Sequence, residues 1–193
     1  MRINDDLKIV IPIGDTNDAA PCVQAFHIPI SRDVFEQNFK IIAATKASMF
    51  SAGSARAASV GMTIAALTLR DEGATLAGGN GDGGASALLA EIKRLTTILA
   101  PTESGFEQLP VDIAIKQGII DAEDWREVEA QLVFFTSVYA LATKAQRVPA
   151  MAWVCSISEA SSTALTLADY AASLATSKTA KNTEEKGASS VPV

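Results

Sequence analysis

Apolar positions along this chain change their period, and the changes mark its elements. Residues 7–13, LKIVIPI, are largely β-branched and apolar; Pro12 inside the run predicts that any strand here is an edge or ends there. Gly14 to Pro21 is a turn-rich connector. CVQAFHIPI, from Cys22 to Ile30, alternates: Cys22, Phe26, Ile28 and Ile30 share one face, interrupted by Gln24. Val23, Ala25, His27 and Pro29 take the other. The two runs read as a small hairpin, or as an extended arm packing on a neighbouring subunit, over residues 1–30. At Ser31 the period becomes helical. Ser31 is a good N-cap, and Ile30 with Phe35 has the spacing of a hydrophobic staple. That helix carries Val34, Phe35, Phe39, Ile41, Ile42, Met49 and Phe50 and ends at Gly53.

A second, alanine-rich helix follows from Ala55 to Glu72, weakened at Gly61 by about 1 kcal/mol relative to alanine. Residues 73–84, GATLAGGNGDGG, read as a flexible glycine-rich loop. Leu88, Ile92, Leu95 and Leu99 then line one face of a helix from Ala85 to Ala100, stopped by Pro101. Pro110 opens a short helix closed by Gly118. The longest element runs from Asp121 to Gln146. Trp125, Val128, Leu132, Phe135, Tyr139 and Ala142 mark one face, and Phe134, Val138 and Leu141 form a second apolar patch. Residues 151–157, MAWVCSI, fit a strand or a helical continuation, and a last helix is expected over 158–175. Residues 176–193 form a polar tail. The predicted fold is mainly α: a helical domain of about five helices over residues 31–175, with a short extended or β-hairpin N-terminal arm.

Composition agrees with a folded domain, at 48% hydrophobic and 20% charged residues. A net charge of −6 argues against nucleic acid and anionic membrane surfaces as partners. No apolar stretch reaches the roughly 20 residues of a membrane helix, and the N-terminus lacks a signal-peptide pattern. The expected location is the cytoplasm. Cys22 and Cys155 lack metal or CxxC spacing and read as reduced thiols; a disulfide between them is unforced.

Candidate chemistry is sparse. His27, the single histidine, has apolar neighbours and no nearby acid, so it reads as structural. Glycine-rich 73–84 lacks the Lys-Ser/Thr of a phosphate loop and the carboxylates of a calcium loop. Asp121, Glu123, Asp124, Glu127 and Glu129 crowd one helix start, where acids suit the dipole; a metal-dependent enzyme built on them is the lesser alternative. Lys93 and Arg94 read as a solvated helix face. No catalytic, cofactor-binding or metal-binding residue is assigned.

The phrases FHIPISRDVFEQNFKIIAATKASMFS, IAALTLRDE, ALLAEIKRLTTILAP and LPVDIAIKQGIIDAEDWREVEAQLVFFTSVYALA, within residues 22–175, resemble tail assembly chaperones of long-tailed bacteriophages. The resemblance implies a small helical protein without a catalytic residue or cofactor. Its role would be to coat the tape-measure protein and keep its apolar helices soluble in the host cytoplasm. Trp125, Phe134, Val138, Leu141, Phe35 and Phe39 are then the candidate protein-binding residues. Other phage tail proteins are further candidate partners, and a homo-oligomer through the arm remains open. The rival reading is a structural virion subunit of the tail or head-tail region.

Overall fold

A computed structural model describes residues 2–3, 7–14, 23–51, 55–103, 105–157 and 161–162. The expectation of a mainly α fold with a short arm is overturned: the chain is a mixed α/β protein. Its antiparallel sheet is built on four main strands, β2 (Ile9–Ile13), β3 (Val23–His27), β4 (Thr96–Thr102) and β5 (Gly105–Pro110). Two-residue strands β1 (Arg2–Ile3) and β6 (Ser161–Ser162) extend one edge, giving the order β5-β4-β3-β2-β1-β6. The helices are α1 (Arg32–Phe50), α2 (Ala55–Leu76), α3 (Ala85–Arg94), α4 (Val111–Lys116), α5 (Ala122–Tyr139) and α6 (Lys144–Ile157).

The supposed arm is the middle of the sheet. β3 pairs with β2 on one side and with β4 on the other. Pro12 is tolerated because β1 reaches only Ile9 and Val10, so Pro12 lies beyond its end. Ile11, Ala25, Ile98 and Leu109 stand in register across four strands and are all buried in the main core. Val10, Phe26 and Leu99 lie on the opposite face and make a smaller cluster with Phe106. Apolar groups on both faces are what interior strands require.

The second correction explains the first. The periodic run Leu88-Ile92-Leu95-Leu99 is not one helix. α3 ends at Arg94, and β4 begins at Thr96. Thr96, Thr97 and Ile98 are β-branched, which favours the pleated surface over another helical turn. Strand β4 is the partner that β3 needs, and β5 pairs with it in turn, from Thr102 opposite Gly105 to Thr97 opposite Pro110.

Helix α5 is the centre of the helical layer. Every residue from Val128 to Tyr139 is buried except Gln131, as expected for a helix apolar on all sides. It packs most extensively on α2 and also touches α1, α3 and α6. It ends at Tyr139, short of the expected Gln146, and α6 begins at Lys144. The Gln146 side chain accepts a hydrogen bond from the Thr143 backbone N–H at 3.1 Å, one half of a capping box. Residues 151–157 are helical. The helix expected over 158–175 falls outside the described residues apart from Ser161 and Ser162, which are extended. The tail at 176–193, Cys22 and the side chain of Cys155 also lie outside them. Among the described residues no helix is long and apolar enough to cross a membrane.

Candidate protein-binding groove

The six residues proposed to bind protein do not form one surface. Trp125, Phe134 and Val138 are buried in the main core, and Leu141 and Phe35 are partly buried against it. Phe134 packs against the rings of Phe50 in α1, at 5.8 Å, and Trp153 in α6, at 6.3 Å. The second apolar patch of α5 is therefore covered by the chain's own helices. The Arg32 guanidinium lies 5.1 Å from the Phe35 ring, and the Lys93 ammonium 5.9 Å from Trp125. Phe39 alone of the six is exposed, at 49%.

Phe39 borders a groove of about 400 Å³ between the middle of α1, the end of α2 and the turn that follows. Leu76, the last residue of α2, is 50% exposed on the same groove. Ile41 and Gly83 complete its apolar lining; Gln37, Asn38 and Lys40 give it a polar rim. The Asn38 amide is tied to the Val34 carbonyl at 2.8 Å.

Glycine chemistry sets the shape of this end. The turn after Leu76 folds back onto α2, and a Cβ on Gly73 would lie 2.2 Å from the Asp82 carbonyl oxygen. Gly83, at φ +56°, faces the Gly73 carbonyl from the other side. Asp82 then fastens the turn to α3: its carboxylate accepts from the backbone N–H of Gly84 at 3.0 Å and of Ser86 at 2.9 Å. The Ser86 hydroxyl, followed by these N–H groups, holds the Asp82 carboxyl below its ordinary pKa. Residues 73–76 of the glycine-rich stretch are thus the last turn of α2.

The other candidate groups are accounted for individually. Asp121 caps α5 through the Glu123 and Asp124 N–H groups, and Asp124 returns a bond to the Asp121 N–H: a complete capping box. Glu129, read from sequence as a solvated acid, is instead buried and paired with Arg70 at 2.6 Å. Among the described residues no three His, Cys, Asp or Glu side chains converge to hold a metal ion. Lys93 pairs with Asp112, and Arg94 pairs with Glu91 at 2.7 Å. The Arg94 hydrogen bond lowers the Glu91 pKa.

His27 is fully buried, with Nδ1 3.0 Å from the Thr96 hydroxyl oxygen. That hydroxyl donates to the Ile92 carbonyl at 2.8 Å, so it accepts from His27, and Nδ1 carries the proton. Nε2 is left without a hydrogen bond. Burial lowers the His27 pKa to about 3, against a smaller upward contribution from the Ile92 backbone. The imidazole is a neutral structural group away from the groove.

Sequence reasoning missed Leu76 and Gly83. Leu76 is the last large apolar residue before the glycines, and reading 73–84 as a linker removed it from consideration. The chain matches no family model, no curated protein and no solved structure.

Proposed function

We propose that this protein is a non-catalytic assembly factor that seats an apolar helix of a partner in the Phe39–Leu76 groove. The observation that carries the reading is the pairing of two half-exposed large apolar side chains across one concave site. In helix-in-groove docking an amphipathic helix lays its apolar face between such side chains. Covering the exposed halves of Phe39 and Leu76 would contribute about 1 kcal/mol each, so the contact is reversible unless several turns engage. Reversibility suits a factor that must release its partner. The partner named by the sequence resemblance is the tape-measure protein of a long-tailed phage, held in the host cytoplasm until tube subunits replace the chaperone. A net charge of −6 would help to keep such a complex dispersed.

The test is co-expression with the tape-measure protein. Wild-type chain is expected to carry it into the soluble fraction, and Phe39→Asp or Leu76→Asp to leave it insoluble while folding normally. Equal rescue by both variants sinks the groove assignment. Abundant peptides of this chain in finished particles would instead make it a structural virion subunit.

A further inference from the structure

A second concave site lies where the start of α1 meets the end of α5 and the first turns of α6. It has a volume of about 240 Å³. Leu7, Ile30 and Phe35 supply apolar walls, and Arg32, Tyr139 and Arg147 supply polar ones. No carboxylate is among its lining residues.

Three observations single it out. Tyr139 is 5% exposed, and its hydroxyl has no acceptor for its proton. Arg147 and the Ile30 backbone N–H face the phenol oxygen, yet burial dominates and raises the Tyr139 pKa, so the phenol keeps its proton. Arg147 Nε is also buried without a partner. Both of these buried groups can donate, and a buried donor without an acceptor is costly. What the site lacks is an acceptor. The third observation is Leu7, whose φ of +63° is a left-handed conformation that leucine rarely adopts. A residue other than glycine keeps such a conformation only where the surrounding structure holds it. The N-terminus of the 19-residue helix α1, capped by Ser31, adds its positive end to the same site. Arg32 contributes charge while its Nε pairs with Glu36 at 2.6 Å.

We propose that this cavity binds a small organic oxyanion, its acid group taken by the Tyr139 hydroxyl and Arg147 and its apolar part by Leu7, Ile30 and Phe35. The recognised chemistry is a compact carboxylate or phosphate monoester bearing a short apolar group. This site is separate from the groove, and its occupancy does not depend on the assembly role.

Calorimetric titration of the full chain with benzoate, phenyl phosphate, inorganic phosphate and benzamide tests the proposal. Saturable binding of benzoate or phenyl phosphate is expected, at least tenfold tighter than benzamide and inorganic phosphate. Tyr139→Phe keeps the ring packing and removes only the donor. Arg147→Lys keeps the charge and removes the Nε donor, with Arg147→Gln removing both. Each variant should weaken binding tenfold or more, because each removes a hydrogen bond to a charged group. Near-ultraviolet circular dichroism shows that each variant is folded. No saturable binding to wild type overturns the proposal. So does a loss below threefold in folded Tyr139→Phe, or benzamide binding as tightly as benzoate.

Discussion

The buried imidazole of His27 makes acid stability a direct probe of this fold. Its pKa drops from 6.5 to about 3 because the folded chain desolvates it. The unfolded chain therefore takes up the proton first as pH falls. Stability is complete above about pH 6.5, declines as pH falls, and stops declining near pH 3. The whole gap corresponds to about 5 kcal/mol at 1.36 kcal/mol per pH unit. Between pH 7 and pH 5 the linkage relation gives a loss of about 2 kcal/mol. Carboxylates with lowered pKa values, such as Asp82 and Glu91, remain ionised across that window and add little. Urea unfolding at pH 7 and pH 5 measures the difference. His27→Leu is the control: whatever its stability at pH 7, its loss between the two pH values should fall below about 0.5 kcal/mol. Since the chain has one histidine, its ring resonance can also be followed by NMR without assignment. A folded-state midpoint near 6.5, or equal pH losses in wild type and His27→Leu, would refute the placement of β3 inside the sheet.

Three further outcomes follow from the packing. Gly73→Ala should destabilise by about 2 kcal/mol or more, since its Cβ would strike the Asp82 carbonyl; Gly78→Ala, with open space around it, should cost only the roughly 1 kcal/mol of its positive φ, both read from thermal melts. Arg70→Ala strands the buried Glu129 carboxylate and should cost about 2 kcal/mol in urea unfolding, less than a fully buried pair because Arg70 is half-exposed. Phe134→Ala should lose about 3–5 kcal/mol, whereas Phe39→Ala should lose under about 1 kcal/mol, which separates a core aromatic from a groove aromatic by chemical denaturation.

Local chemistry was legible where one residue decides the outcome. Ser31 capping α1, Asp121 and Asp124 boxing the start of α5, and Pro110 preceding α4 all act within a turn of themselves. The pairing of β2 with β3 was legible as one of two readings; the rest of the sheet was not, because the other partner of β3 is distant in sequence. Val10 and Phe26 face one way while Ile11 and Ala25 face the other, and that two-sided apolar content was the available sign of interior strands. The missing partner β4 was hidden inside a helical period, with Thr96-Thr97-Ile98 as the contrary signal. Thr143-Lys144-Ala145-Gln146 likewise spelled a capping box in the middle of what read as one long helix. For the candidate site, Phe39 was identified and Leu76 was not. Periodicity places Phe134 and Val138 on a second face of α5 but cannot say whether that face meets α6 or another chain; Trp153 and Phe50 answer it only in three dimensions.

The most direct measurement of the proposed role is site-specific photo-crosslinking in cells that co-express the tape-measure protein. A photoreactive residue is placed in turn at Phe39, at Leu76 and at Leu67, which is 65% exposed on α2 but does not line the groove. Groove binding predicts crosslinks to the tape-measure protein from positions 39 and 76, with position 67 near background. Equal crosslinking from all three positions, or none from 39 and 76, would contradict it.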